Sequence, residues 1–170
     1  MPSPVGHALG SLAAAWAAGR PQRPGRALAV QMACIVALGV APALALLWGR
    51  HSRETHSVGA AVIVAAVAAW RRWPLGPYGR AGIFATACAA WLSHPLLDVH
   101  AIDDAVPIGV MLLWPVSDGI VHAPWAFFDP ISRYFSQPSV WVHNFAAAGR
   151  EILRLAPIAA MVWVWRRPKN

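Results

Sequence analysis

Charged residues are scarce in this chain of 170 residues, and the scarcity excludes most water-soluble proteins. They make up 12% of the sequence, whereas hydrophobic residues make up 58%. Soluble domains contain about 25% charged and roughly 45–50% apolar residues. A soluble sphere of this size needs more polar residues to cover its surface than this chain has. We therefore expect lipid to cover much of the surface.

Cysteine is also rare. The two cysteines, Cys34 and Cys88, lie inside apolar stretches, and no Cys-x-x-Cys motif occurs. Free cysteine in such surroundings behaves as a small buried hydrophobe, so neither a zinc knuckle nor a redox pair is indicated. A cleaved signal peptide is not expected either, because the first arginines follow the apolar stretch 5–19 instead of preceding it.

Positive charge exceeds negative charge, with 14 Lys and Arg against 7 Asp and Glu. Thirteen of the 14 are arginines, and they flank apolar runs. This distribution is typical of the positive-inside bias of membrane proteins. It does not form a basic face that could follow a phosphate backbone, so we expect no nucleic-acid partner.

Four apolar segments predict helices, because Ala and Leu dominate them and no polar–apolar alternation appears. The first, 27–49, carries no charge and could cross a hydrocarbon core of about 30 Å. The others are 57–70, 81–97 and 155–165. No convincing strand is found. We predict an all-α, polytopic membrane helical bundle with about 4–5 membrane-embedded helices, forming a single domain over 1–170.

A long proline-rich and aromatic region separates the last two predicted helices. Between residues 101 and 139 the chain contains five prolines and six Trp, Phe or Tyr side chains. It is too interrupted for one long helix. Its composition suits a cap at the membrane–water interface.

Three basic clusters, at 20–26, 71–80 and 166–169, set the predicted topology. If all three face the cytoplasm, the intervening segments cross the membrane in pairs. The connector 50–56, the stretch 98–141 and the N-terminus then lie on the outward side. We therefore predict a multi-pass protein with a cytoplasmic C-terminus.

Seven histidines stand out in so apolar a chain. In the predicted topology, four of them fall at the outward end together with one carboxylate. Ionisable residues near lipid are costly and usually serve a function. Imidazole and carboxylate together suit a divalent transition metal such as zinc or manganese. These residues are His7, His51, His56, His94 and Asp98.

His94 and Asp98 are spaced i, i+4, so on a helix both project from one face and can reach one ion. Pro95 permits this spacing as the first residue of a new helical turn. Taken alone, a His–Asp hydrogen bond that fixes a helix end explains the pair about as well.

His51 and His56 fit a loop that enters a helix, with Thr55 or Ser57 as the N-cap. Alone they would be interpreted as a solvated connector. Glu54 lies between them and is a metal ligand, a general base or a surface charge. The predicted proximity of all these groups supports a site better than the His51–His56 spacing or the His94–Asp98 spacing does alone.

The segments MPSPVGHALG, GRHSRETHS, SHPLLD and PIGVMLLWPVS resemble the membrane-bound metal-dependent hydrolases, also described as LexA-binding inner-membrane hydrolases (the YdjM-like proteins). The resemblance covers most of the chain. It implies an all-helical inner-membrane protein distantly related to the zinc-dependent phospholipase C and nuclease group. It also implies a metal-ligand set, His7, His51, His56, His94 and Asp98, with Ser57, Ser93 and Trp114 in support.

The chain departs from the family pattern at one point. Family members usually carry Pro-Asp-x-Asp shortly before the histidine-rich block, whereas this chain has alanine at both acidic positions, Ala43 and Ala45 after Pro42. The loss of two carboxylates removes two negative charges from a metal site. Weaker metal binding is therefore expected, and catalysis is put in question.

Two functions are consistent with these residues. The first is a metal-dependent hydrolase acting on a phosphate or lipid-like ester, with zinc as the expected metal, manganese as the second choice and Glu54 as the base. The second is a non-enzymatic membrane pseudoenzyme or a docking protein for a soluble regulator, which Ala43 and Ala45 favour. A proton-relay transporter is disfavoured because the polar residues cluster at one end.

The remaining polar residues receive simpler interpretations. Asp103 and Asp104 are expected to form a turn with a helix cap, and His122 and His143 to lie near the mouth of a pocket. On the final helix, Arg150, Glu151 and Arg154 are interpreted as a solvated or paired face and not as a clamp for a substrate phosphate.

Overall fold

The computed structural model describes residues 1–48, 53–102, 108–132 and 136–168, with the backbone alone at 45–48. Within these ranges the chain is all-helical, as predicted, and β-structure is limited to two isolated bridges. Two 3-10 helices, Ala41–Trp48 and Glu54–His56, precede α3. The α-helices are α1 (Pro4–Ala18), α2 (Arg26–Val40), α3 (Val58–Trp70), α4 (Arg80–Val99) and α5 (Pro138–Arg166).

Helix α1 lies at the centre of the bundle. It packs against α2, α4 and α5, while α3 packs on the other side of α4. Small side chains allow this close packing: a Cβ added at Gly39 of α2 would lie 2.2 Å from the Ser11 Cβ of α1. The core of α3 is built from four buried alanines for the same reason. Close backbone approach at small residues is typical of helices that associate in membranes.

Helix α2 and the turn after it form one segment, Arg26–Leu44, that is long and apolar enough to cross a membrane. Its mean hydropathy is 2.1, yet only 28% of it is buried inside the molecule. No second helix in the described ranges meets both conditions, so the predicted number of spans stays a prediction. The α-helical part ends at Val40 because Pro42 has no N–H to continue the ladder, and the chain proceeds as a 3-10 helix.

Helix α3 begins at the predicted place, with Ser57 as its N-cap. The first four backbone N–H groups of a helix have no partner within the helix. Val58 N donates to the carbonyl of Leu112 at 2.9 Å, and Gly59 N donates to that of Trp114 at 3.0 Å. Ala60 N donates to the Ser57 hydroxyl at 3.0 Å. The segment containing Leu112 and Trp114 therefore covers the start of α3.

Two prolines lie where the sequence suggested helix boundaries. The sequence predicts Pro95 at the first position of a new helical turn. This prediction is wrong, because α4 continues through Pro95 without a break. The i, i+4 relation between His94 and Asp98 holds nevertheless. Pro138 is the first residue of α5, a position where the missing N–H costs nothing. Because α5 begins at Pro138 and ends at Arg166, it is much longer than the predicted helix over the apolar run 155–165.

The basic clusters lie at one end of the bundle. Arg166 donates to the Gly19 carbonyl through Nε (2.9 Å) and Nη2 (2.6 Å), which joins the ends of α5 and α1. Gln31 donates to the carbonyls of Arg20 (2.9 Å) and Leu75 (2.7 Å), which joins the two basic connectors. The three basic clusters therefore lie at the same end of the bundle, which is an arrangement that the predicted topology requires.

Candidate metal centre

Four buried side chains from three elements converge at the opposite end of the bundle. His7 comes from α1, His56 from the 3-10 helix Glu54–His56, and His94 and Asp98 from α4. The three imidazoles are at most 1% exposed and Asp98 is 6% exposed. The Nε2 atom of His7 lies 3.4 Å from Oδ1 of Asp98, and those of His56 and His94 lie 3.3 Å from Oδ2.

The orientation of His94 is fixed by the backbone of α2. Its Nδ1 lies 2.7 Å from the carbonyl oxygen of Gly39. A carbonyl can only accept, so Nδ1 carries the proton and donates it. In neutral His94 the Nε2 atom then presents a lone pair towards the Asp98 carboxylate. Two lone pairs that face each other in a buried site are stabilised by a metal cation between them, or by a proton carried by either His94 or Asp98.

His7 lies parallel to His94, with ring centroids 3.6 Å apart and planes inclined by 11°. Its backbone is held against α2, because the His7 carbonyl would lie 3.3 Å from a Cβ added at Gly39. Neither ring nitrogen of His7 has a hydrogen-bond partner in the described ranges. Buried polar atoms are rarely left in this state, so His7 is suited to a ligand that the protein does not itself supply.

His56 is positioned by α4 through its neighbour. The Trp91 indole donates to the Thr55 carbonyl at 2.8 Å, and the Thr55 hydroxyl lies 3.0 Å from Nδ1 of His56. This leaves Nε2 directed at Asp98. Burial lowers the pKa of His56 below 6.5, against the opposing hydrogen bond and charge of Asp98. The neutral form, which binds metals, is thereby favoured.

The ligand atoms of the cluster lie close enough together that His7, His94 and Asp98 could share one metal ion. Two ligands held at about 2.0–2.1 Å by a tetrahedral zinc lie about 3.3–3.4 Å apart, which is the separation of each Nε2 from the Asp98 carboxylate. Hydrogen bonds between imidazolium and carboxylate are shorter, at about 2.7–2.9 Å. The ligand atoms of His7, His94 and Asp98 lie within 4.8 Å of one another.

The other residues singled out from the sequence have different outcomes. His51, Asp103 and Asp104 are outside the described residues. Glu54 lies two residues before His56 and lines a cavity of about 400 Å³. The family's acidic positions belong to the 3-10 helix Ala41–Trp48, which contacts α4 and the 3-10 helix bearing His56.

The predicted supporting residues, Ser57, Ser93 and Trp114, all form hydrogen bonds that involve backbone atoms near the site. Ser57 accepts from Ala60 N and donates to the Glu54 carbonyl at 2.5 Å, which fixes the turn next to His56. The Trp114 carbonyl accepts from Gly59 N at 3.0 Å. Ser93 donates to the Ala90 carbonyl of its own helix at 2.8 Å.

The three remaining histidines are separate from the cluster. His100 is half-buried, and His122 and His143 are exposed. Each has a ring nitrogen within hydrogen-bond distance of a backbone carbonyl oxygen, at 2.9, 3.0 and 2.8 Å respectively. His100 and His122 contact carbonyl oxygens four residues and one residue away in sequence, whereas His143 contacts that of Pro130, 13 residues away.

The family model of the YdjM inner membrane protein matches residues 1–168. The chain belongs to this family. It is therefore a membrane protein. No curated protein and no solved structure matches it.

Membership in the YdjM family explains the apolar surfaces of the bundle. Val62, Ile63 and Val67 on α3 are 43%, 56% and 44% exposed, and Leu153 and Met161 on α5 are 76% and 65% exposed. Water would make such surfaces costly, whereas acyl chains cover them without loss.

Glu151 is the residue that sequence reasoning misplaced. It was expected on a solvated or paired face of the final helix, but it is buried with 1% exposure. Its carboxylate accepts from the Ser3 backbone N–H at 2.9 and 3.1 Å, and from the Ser3 hydroxyl. Ser3 is the N-cap of α1 and in turn accepts from Gly6 N. An anion at a helix N-terminus is favourable, so Glu151 anchors α5 to the end of α1 that carries His7.

The neighbours of Glu151 do form the expected paired face. Arg150 donates to the Asp129 carboxylate at 2.8 Å. Arg154 donates to the Phe127 carbonyl. A helical-face argument could not separate Glu151 from these arginines, because its partner lies 148 residues away in sequence.

Proposed function

We propose that this chain is a metal-dependent hydrolase of the inner membrane that acts on a phosphate or lipid-like ester. His7, His56, His94 and Asp98 would hold a divalent ion, zinc before manganese, with His51 as a further ligand. The observation that supports this most directly is the His94 ring. Its Nδ1 donates to Gly39, so its lone pair faces a buried carboxylate, and a cation resolves that conflict.

The metal would act as a Lewis acid that polarises the ester. The protein's own groups would then do three things. Asp98 supplies negative charge that offsets the buried cation. Gly39 and Thr55 hold two imidazoles in the orientation for binding, as outer partners of metal-bound histidines commonly do. Glu54, at the wall of the cavity shared with Arg53 and Asp118, would accept the proton of the attacking water.

A second cavity supports a substrate with an acyl chain. It has a volume of about 610 Å³ and lies between α2 and α3, where Leu38, Ile63 and Val67 form part of an almost entirely apolar wall. Trp91 also lines it, and the Trp91 indole binds Thr55, next to His56.

A non-enzymatic role is the alternative, and Ala43 and Ala45 favour it. Without the family's two carboxylates, the site has fewer charges to hold closely spaced cations. The protein would then be a membrane pseudoenzyme that keeps the fold, or a docking protein for a soluble regulator.

Metal analysis of detergent-purified protein separates a metal site from a metal-free cluster. We expect stoichiometric zinc or manganese, and loss of at least about tenfold in affinity in Asp98→Asn. His143→Gln is the matched control, because His143 is an exposed histidine outside the cluster. Absence of divalent metal after reconstitution with either ion would refute the metal site. Bound metal without hydrolysis of a lipid phosphate ester would leave the non-enzymatic alternative.

A further inference from the structure

The basic end of the bundle contains a cleft of about 630 Å³ that the proposed hydrolase site does not use. One wall is the connector between α1 and α2, with Gln22 and Arg23. The other is the end of α5, with Trp163, Trp165 and Arg167.

The contacts that fix the two walls are made by other residues, and the side chains of Arg23 and Arg167 stay exposed. Gln22 N donates to the side chain of the buried Gln31 at 2.8 Å, which holds the connector against α2. Arg166 binds the Gly19 carbonyl, which holds the end of α5 against α1. The cleft is therefore a built feature of the helix ends.

Among the residues that the structure describes, no Asp or Glu lines this cleft. All seven Asp and Glu residues of the chain lie at position 54, position 98, or between 103 and 151. The segments that form this end, 19–26, 71–80 and 166–168, contain none of them and carry eight arginines. The guanidinium of Arg167 lies over the Trp163 ring, 5.6 Å from its centroid. An anion is the ligand that these guanidinium groups favour.

We propose that this cleft binds the phosphate-bearing headgroup of an anionic phospholipid. Arginine forks recognise phosphate oxygens, and tryptophan rings favour the level of lipid headgroups. A lipid fits better than free phosphate because the cleft continues onto an apolar surface. Val164, which also lines it, is 53% exposed and Trp165 is 71% exposed, so acyl chains can lie along α5.

The test compares two double variants of the full chain in mixed micelles. Arg23→Gln/Arg167→Gln removes the two charges in the cleft. Arg71→Gln/Arg72→Gln removes two charges from the same end but outside the cleft. Binding of phosphatidylglycerol and of phosphatidylcholine is measured by native mass spectrometry, and thermal unfolding is measured in parallel.

We expect Arg23→Gln/Arg167→Gln to weaken phosphatidylglycerol binding by about tenfold or more, with a much smaller loss in the control pair. Equal losses in the two pairs would show diffuse attraction to the surface and overturn the proposal. Glycerol phosphate that binds as tightly as the lipid would overturn the lipid assignment. Arg23→Lys/Arg167→Lys keeps both positive charges, so it is a control for loss of binding that is caused by misfolding of the Gln variant. It should bind with intermediate affinity, because lysine cannot form the bidentate contact.

Discussion

The Nδ1 atom of His94 donates a hydrogen bond to the carbonyl oxygen of Gly39, 2.7 Å away on another helix. This one contact sets which nitrogen of His94 faces Asp98. It depends on how closely α1, α2 and α4 approach one another. Gly39 allows that approach, since a Cβ there would lie 2.2 Å from the Ser11 Cβ and 3.3 Å from the His7 carbonyl.

Gly39→Ala should therefore damage both packing and the cluster. We expect the free energy of unfolding to fall by about 1–3 kcal/mol, and metal affinity to fall with it, because α1 and α2 must separate. Thermal unfolding and metal titration in detergent measure the two effects. Gly149→Ala is the control: nothing lies within 4 Å of its added Cβ, and alanine in a helix stabilises by up to about 1 kcal/mol. Equal stability of the two variants would contradict the packing argument.

Glu151→Gln should destabilise the bundle without touching the metal ligands. Gln can offer one acceptor oxygen, and its amide group would face the Ser3 N–H donor. We expect a loss of about 1–3 kcal/mol in the free energy of unfolding. The control is Arg150→Gln, whose ion pair with Asp129 joins side chains 45% and 34% exposed, and exposed pairs contribute about 0–1 kcal/mol. A Glu151 variant as stable as the Arg150 variant would show that the buried anchor is unimportant.

Restoring the family's acids should strengthen the proposed site. Ala43→Asp/Ala45→Asp is expected to raise metal stoichiometry and hydrolysis of a lipid phosphate ester, because carboxylates offset repulsion between clustered cations whereas neutral imidazoles do not. In chelator the same variant should melt at a lower temperature, since two charges then lack a cation. Leu44→Asp, at an exposed position in the same turn, is the control. Metal content and activity equal to those of the original chain would refute this prediction.

The orientation across the membrane can be tested with single cysteines. In a background of Cys34→Ala/Cys88→Ala, we expect Arg53→Cys, at the end that bears the cluster, to react with a membrane-impermeant reagent from outside intact cells. Arg71→Cys, at the basic end, should react only after the membrane is opened. Both positions are exposed. Labelling in the reverse pattern would mean that the histidine-rich end faces the cytoplasm.

Several parts of the fold could be predicted from the sequence because they depend on neighbours along the chain. Alanine-rich runs without polar–apolar alternation favour helix through local propensity, and Ser57 caps α3 through a bond to a residue three positions away. The i, i+4 pair of His94 and Asp98 shares one helix face for the same reason.

Only the tertiary structure decided the partners that are distant in sequence. Nothing local shows that Asp98 receives His7 from α1 and His56 from before α3, or that Gly39 orients His94 from 55 residues away. Glu151 looks like a surface charge beside Arg150 until α1 brings the Ser3 N–H to it. The physical reason is that composition and spacing determine which surfaces a helix has, whereas packing determines which surfaces meet. In this protein the candidate metal centre exists only where three such elements meet.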